Sequence, residues 1–326
     1  MRTVRALGEV GLIDRLRRRL GHAPSSLVEV GIGDDAAVLR CAGRRRLLFA
    51  SDMFVEDVHF RLPAVARAAS RRDAAGARAG RRATPAQWIG WKALAANISD
   101  IAAMGGKPLC AVVSLGLPPT TPIAFVDALY DGLARCARRY GVAIVGGDTV
   151  RAARVTINVA ILGAVDRRHL ALRSGARAGD ALFVTGRLGG SLASGRHARV
   201  TPRVREARQL VRHVRIHAMM DLSDGLASDL WQMSRASRAV LRVELAKIPV
   251  SRAARTVQHA LMDGEDFELL FAVGRRDALR VPRRIGSCPV TQIGKVVGRG
   301  VRVEQQYPDG RLELLVPAGF QHFAHG

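Results

Sequence analysis

Apolar residues recur along this chain at two periods, and the switches between them mark out its elements. Val10, Ile13, Leu16 and Leu20 stand at helical spacing and predict an opening amphipathic helix with its arginine-rich side in solvent. Short apolar runs at 28–30 and 47–50 predict buried strands on either side of a glycine-rich turn, and the second leads directly into Ser51 and Asp52. Trp88, Trp91, Leu94, Ile98 and Ile101 return to the helical period, and Gly105, Gly106 and Pro108 stop that helix. A strand at 111–117, a helix at 123–140 and a strand at 142–145 follow, the last expected to end at Gly146-Gly147-Asp148-Thr149. A strand at 155–165 closes this half.

After Arg173 the pattern restarts, with a strand at 181–184 and a strand fragment at 218–220 that empties into Asp221-Leu222-Ser223-Asp224-Gly225. A helix through Leu226, Leu230 and Met233 comes next, and the turn Gly264-Glu265-Asp266 precedes a strand at 267–273. This order predicts an α/β chain of two domains, 1–165 and 166–326. Residues from about 66 to 84 are rich in Ala, Arg and Gly and show no period, so they read as an inserted segment.

Composition changes this picture in three ways. With 326 residues, 48% of them hydrophobic, the chain can bury a sizeable core. Its longest apolar stretch, 155–165, is broken by Thr156 and Asn158 and falls short of the roughly 20 residues of a spanning helix, so no membrane segment is expected. Arg2 and Arg5 are followed by Glu9 and Asp14 before any signal-like apolar region develops, which predicts a cytoplasmic location. Cys41, Cys110, Cys136 and Cys288 are scattered, arguing against a disulfide framework or a zinc site. The formal net charge of +23 is the strongest signal for nucleic acid. The excess is almost wholly arginine, however, and its densest runs, 15–19, 44–46 and 67–82, lack interleaved aromatics for base stacking. They read as solvated faces that would also attract nucleotide phosphates.

Candidate chemistry is acidic. The stretch GIGDDAAVL, residues 31–39, sets two aspartates side by side, where adjacent anions repel unless a cation or a helix N-terminus offsets them. Asp35, Asp52, Asp100, Asp148, Asp221 and Asp224 lie in separate segments, mostly where strands are expected to end in glycine-rich turns. Any one of them alone reads as a turn former or helix cap. As an oxygen-only set without His or Cys they suit a hard cation, Mg²⁺ above all, held together with substrate phosphates. No GxxxxGK[ST] phosphate loop is present.

GIGDDAAVL, SDMFVEDVHF, KALAANISDIAAMGG, GGDT, ALRSGARAGD, DLSDGLASDL and GEDFELLF, in that order, resemble the thiamine-monophosphate kinase family. The resemblance covers nearly the whole chain. It implies a two-domain aminoimidazole ribonucleotide synthetase-like fold, with a mixed-sheet N-terminal domain for ATP and Mg²⁺ and an α/β C-terminal domain. It also implies dimerisation through the N-terminal sheets. Asp35, Ser51, Asp52, Asp100 and Asp148 match Mg²⁺ positions, and Asp221 and Asp224 complete the metal shell. Gly147, Asp148, Arg173 and Ser223 match ATP contacts. His59 and Glu265 match substrate positions, with Phe320 as the nearest aromatic to stack on the substrate. The implied reaction is ATP plus thiamine monophosphate giving thiamine diphosphate and ADP, achieved by positioning and charge neutralisation without a dedicated catalytic side chain.

Met53 stands where relatives often carry threonine, and the inserted segment lies where they connect more directly. His59 taken alone reads equally as a core or capping histidine. Two other functions stay open on sequence: another ATP-dependent synthetase of the same superfamily, and a nucleic-acid-binding protein on a degenerate kinase fold. The VHF and GEDFELLF segments argue against the first, and the complete aspartate set argues against the second.

Overall fold

Residues 4–20, 25–62 and 84–319 are described in a computed structural model of the chain. The expected insertion falls almost wholly outside them, and so does Phe320. Helix α1 (Val4–Leu20) forms as its period predicts, interrupted at Gly8. Its apolar stripe of Val10, Ile13, Leu16 and Leu20 is nevertheless exposed in the single chain.

The first sheet is built on strict alternation. In β6 (Thr156–Asp166), Ile157, Val159, Ile161 and Val165 are buried while the residues between them are only half buried, so one face packs and the other does not. It lies centrally in the order β1-β2-β3-β6-β4-β5, where β1 is Val28–Val30, β2 Ala37–Arg40, β3 Arg45–Val55, β4 Lys107–Leu117 and β5 Ala143–Arg151. Strand β3 pairs with β6 along its whole length, from Arg45↔Asp166 to Val55↔Thr156. Within this sheet, among the described residues, β4 and β5 alone pair in parallel, joined by helix α3 (Ile123–Tyr140) as a crossover.

Helix α2 (Ala86–Ala103) covers the packed face, and α3 lies behind it. From Ile89 to Ser99 every α2 residue is buried, so the helix has no solvent stripe. The reason lies in the second half of the chain. There β7 (Ala181–Thr185), β8 (Ile216–Asp221), β9 (Ala239–Glu244), β10 (Leu269–Val273), β11 (Arg284–Ile285), β12 (Cys288–Arg299), β13 (Arg302–Gln306) and β14 (Leu312–Leu314) form a second mixed sheet, ordered β14-β13-β9-β12-β7-β10-β8 with β11 beside β12. β7 and β10 are buried throughout, which requires cover on both faces. Helices α5 (Leu226–Ser237) and α6 (Val257–Met262) pack on one face through Leu226, Leu230, Met233 and Leu261. Helix α4 (Val204–His213) packs on the other, where Ala207 and Leu210 share one cluster with Phe183, Phe271 and the α2 residues Ala102 and Ala103. Thus α2 belongs to both cores. The architecture is the α/β (α+β) arrangement of two mixed sheets that the motifs imply.

The α2–α3 crossing depends on two glycines. A Cβ on Gly90 would stand 2.0 Å from the carbonyl oxygen of Leu129, and one on Gly132 would stand 1.9 Å from that of Gln87. Helix propensity alone makes Gly132→Ala stabilising by up to ~1 kcal/mol, whereas forcing packed backbones apart costs ~1–3 kcal/mol or more. We expect Gly132→Ala to lower the thermal midpoint followed by circular dichroism. A raised midpoint would show that the helices can separate freely.

Candidate functional site

The acidic residues converge where α2 passes between the sheets. Asp35 sits in the turn before β2, Asp100 on the last turns of α2 and Asp221 at the end of β8, and one carboxylate oxygen from each lies within 4.8 Å of the others. Asp52 faces the same side from β3, its N–H donating to Asn97 Oδ1 of α2 at 3.1 Å. Asp224, in the bend before α5, is near enough to act on Asp52 electrostatically. Ser99 Oγ donates to Asp221 Oδ2 at 2.6 Å and so fixes that carboxylate from α2.

One cation answers this set. Arg173 donates from Nε and Nη2 to Asp35 Oδ1, at 3.0 and 2.6 Å, and from Nη1 to Gln232 Oε1 at 2.7 Å. Its backbone N–H is held by the carboxylate of Asp34. Gln232 Nε2 in turn donates to Asp224 Oδ2 at 3.1 Å and toward Asp229 Oδ1 at 3.3 Å. A single guanidinium is too little. At 4.8 Å two bare carboxylates repel by roughly 3–4 kcal/mol even at an effective dielectric of about 20.

The acidities record this shortage. Burial first, then the Asp35 and Asp224 charges, push Asp52 up to about 6. Burial and Asp35 push Asp34 and Asp221 up to about 7. Burial holds Asp100 well above the carboxylate range, with Asp52, Asp221 and Asp35 adding to it. Asp35 Oδ2 is buried with no hydrogen-bond partner, as is Asp229 Oδ2. All-oxygen donors, close spacing, an orphaned carboxylate oxygen and raised acidities together fit a hard divalent cation such as Mg²⁺.

Other expected site residues lie apart from this cluster. Asp52 and Asp148 were expected at strand ends, yet both stand inside strands, because the ladder runs on through them as Asp52↔Val159 and Ser114↔Asp148. Gly146 and Gly147 do not end β5; a Cβ on Gly147 would stand 1.8 Å from the carbonyl oxygen of Val113, so the glycine permits close pairing. Asp148 shares the side of Ser114, opposite buried Val113 and Leu115, and is exposed on the uncovered face of the edge strand. Ser51 also points away from Asp52, its Oγ donating to Asn158 Oδ1 at 3.1 Å. Asp148 and Ser51 thus share the side of the sheet that α2 does not cover.

The substrate-side candidates gather at the other end of α2. His59 Nδ1 accepts from the N–H of Val55 at 3.0 Å, and its ring meets Phe54 edge-on, so it holds the turn after β3. Glu265 pairs with Lys92 of α2, whose Nζ also donates to the His59 carbonyl at 3.2 Å. The Ser223 carbonyl accepts from the Glu265 N–H at 2.6 Å, tying the DLSDG bend to the GED turn. Lys92, Asn97, Ser99, Gln232 and Asp229 had not been singled out from the sequence. Their signal was positional: the first three lie in KALAANISD, and Lys92 and Ser99 stand seven residues apart on one side of a helix.

Residues 33–165 match the N-terminal domain of AIR synthase related proteins, and residues 177–305 match the C-terminal domain of the same family. The thiamine-monophosphate kinase of Rhodopirellula baltica is 39% identical over 96% of this chain and 97% of its own length. That of Bacillus subtilis is 32% identical over 97% and 100%. Among solved structures, AaThiL complexed with AMPPCP and TMP superposes with a TM-score of 0.79 at 30% identity, covering 99% of each chain.

The raised acidity of Asp52 has a sign that can be tested. Well below pH 3.8 its carboxyl is protonated in both folded and unfolded chains and costs nothing. As pH climbs from its ordinary 3.8 toward about 6, the unfolded chain ionises first, and stability is lost. In metal-free buffer Asp52→Asn should therefore melt above the wild type at pH 7, and the two should converge as pH falls well below 3.8. A gap that does not change with pH would show that Asp52 carries no such strain.

Proposed function

The chain belongs to the thiamine-monophosphate kinase family of AIR synthase related proteins, and from that premise we propose that its cleft transfers the γ-phosphoryl group of ATP to thiamine monophosphate, giving thiamine diphosphate and ADP. The observation that carries this reading is the convergence of Asp35, Asp100 and Asp221 beside Arg173, with Asp52 and Asp224 around them. Without a phosphate loop, a polyanion can be seated there only through cations. Asp35, Asp52, Asp100, Asp221 and Asp224 would hold Mg²⁺, whereas Ser51 and Asp148, assigned to the same ion, lie on the opposite side of the sheet and would reach such an ion only across a contact between two copies. Bound there, Mg²⁺ supplies the positive charge that lets ATP phosphates approach carboxylates.

Arg173, Ser223, Gly147 and Asp148 are assigned to ATP. Arg173 is well placed to exchange Asp35 for phosphate oxygens once another cation neutralises that aspartate. The acceptor is a phosphate monoester with a second pKa of about 6, ionised at neutral pH, so transfer needs in-line positioning and charge neutralisation rather than a strong base. Glu265, His59 and Phe320 are assigned to thiamine, whose thiazolium cation suits a carboxylate and an aromatic face. The reaction belongs in the cytoplasm, where ATP is at hand.

Asp148 gives the reading a quaternary consequence. It stands on the side of the first sheet where Phe49, Met53 and Val112 are 46, 57 and 39% exposed, across β6 and β4 from the strand that carries Asp52. An apolar sheet face of this kind calls for cover. We assign it to a second copy of the chain, which brings the GGDT segment of one chain toward the aspartates of the other.

Two experiments test these assignments. With ATP and Mg²⁺ and a panel of thiamine, thiamine monophosphate and aminoimidazole ribonucleotide precursors, the monophosphate should be the preferred acceptor, and Asp52→Asn should lower turnover by at least ~10²-fold while remaining folded. Preference for free thiamine would sink the assignment. For the shared site, Asp52→Asn and Asp148→Asn chains carrying different tags are co-expressed and the mixed dimer is isolated. One of its two sites is then intact, so about half the wild-type activity should return. A mixed dimer as inactive as its parents would place Asp148 with the aspartates of its own chain.

A further inference from the structure

We infer that Lys92 is a positioning residue for the acceptor, acting through Glu265 and the His59 turn. The inference rests on the reading that those two residues face thiamine monophosphate. Lys92 is one of only four lysines in the sequence, and its side chain is 2% exposed. An ammonium taken so far from water costs several kcal/mol unless it is fully partnered, so its partners show why it is tolerated. They come from both halves of the chain: Glu265, 173 residues away in the GED turn, and the carbonyl of His59 after β3. The ammonium also lies 5.9 Å from the centroid of the Phe54 ring.

Glu265 needs such a hold. Its φ of 63° is in the left-handed region, which a glutamate adopts only when its surroundings enforce it. The backbone is fixed by the N–H bond to Ser223, and Lys92 fixes the carboxylate. With Oε1 committed to Lys92, Glu265 offers its remaining acceptor capacity to a ligand in one orientation. A compact ammonium with three donors can serve a carboxylate and a carbonyl at once, which a planar guanidinium fork would do poorly.

The placement of Lys92 on α2 gives it a second consequence. Ser99, which orients Asp221, lies seven residues further on the same side of the helix, and Asp100 follows it. At 1.5 Å per residue, α2 therefore fixes about 10–12 Å between the group that aims Glu265 and the carboxylate cluster. The acceptor's ring end and phosphate end are registered against one rigid element, which favours a cationic heterocycle carrying its phosphate at that reach.

The test is a cycle of Lys92→Met, Glu265→Gln and the double variant, with KM for thiamine monophosphate, KM for ATP and kcat measured for each after cooperative unfolding has been checked. We expect Lys92→Met to raise KM for the acceptor by at least ~10-fold while KM for ATP stays within about twofold, as loss of a charge-assisted contact on one substrate predicts. In the Glu265→Gln background the same change should add little, because the two act as one unit. Should Lys92→Met lose cooperative unfolding, Lys92→Gln, which keeps a donor at similar reach, takes its place. Parallel rises in both KM values, a fall in kcat alone, or full additivity with Glu265→Gln would each overturn the inference. If the wild type prefers a different phosphorylated acceptor, the proposed function fails by itself, and the same KM split measured on that acceptor still decides the role of Lys92.

Discussion

Mutual repulsion among buried carboxylates is the constraint on which the rest of this structure depends. Asp35, Asp52, Asp100 and Asp221 are drawn from four separate segments into one place, where every pairwise term opposes folding. Arg173 on Asp35 and the Ser99 hydroxyl on Asp221 offset only part of that repulsion. The cluster exists because the surrounding packing positions its members anyway: the full-length β3–β6 ladder, the burial of α2 and the β8–β10 pairing that brings Asp221 to the strand end. A site whose donors fit a hard cation is thus built at the expense of the metal-free fold, an exchange of stability for function if that cation binds.

Helix α2 makes this possible. A helix buried on all sides cannot shift to relieve strain, because each side is fitted to a different partner: β3 and β6, α3, and the α4–β10 core. It carries apolar residues on most of its surface and polar ones where the halves meet, namely Lys92, Asn97, Ser99 and Asp100. Each of these polar residues binds a group on another segment or belongs to the carboxylate cluster. The two halves are therefore related through one rigid element, and the distances between candidate acceptor and phosphate positions follow from helix geometry.

Much of this was legible in the sequence, and the failures have physical causes. The ends of α3 and β1 fell where the periodicity put them, because local signals and tertiary packing agree there. Strands β3 and β5 run further than expected because Ser51-Asp52 and Gly146-Gly147-Asp148 look like turns when read alone, whereas their backbones are already paired with β6 and β4. That Asp52 and Asp148 lie on opposite sides of one sheet depends on strand order, which composition does not encode. Oxygen-only acids scattered through an arginine-rich chain pointed to the cluster, since each acid was unusual in its surroundings. The Lys92–Glu265 pair joins residues 173 apart and carries no local mark of either partner.

The net charge of +23 and the acidic cluster look contradictory until their ranges are compared. At physiological salt a surface charge is screened beyond about 8 Å, so the arginines act as a diffuse field that concentrates phosphate-bearing ligands at the protein without selecting among them. Among the carboxylates beside α2, which burial removes largely from solvent, screening is weak and the sign reverses. A phosphate arriving alone meets carboxylates and one arginine already engaged by Asp35, so it is turned away. On the proposed reading, a phosphate arriving with a divalent cation would offset the repulsion among these carboxylates and leave Arg173 available to bind it. Long-range attraction to any polyanion followed by short-range rejection of the bare one would make the proposed site conditional on metal, and the same arithmetic would disfavour nucleic-acid phosphates that bring no small cation.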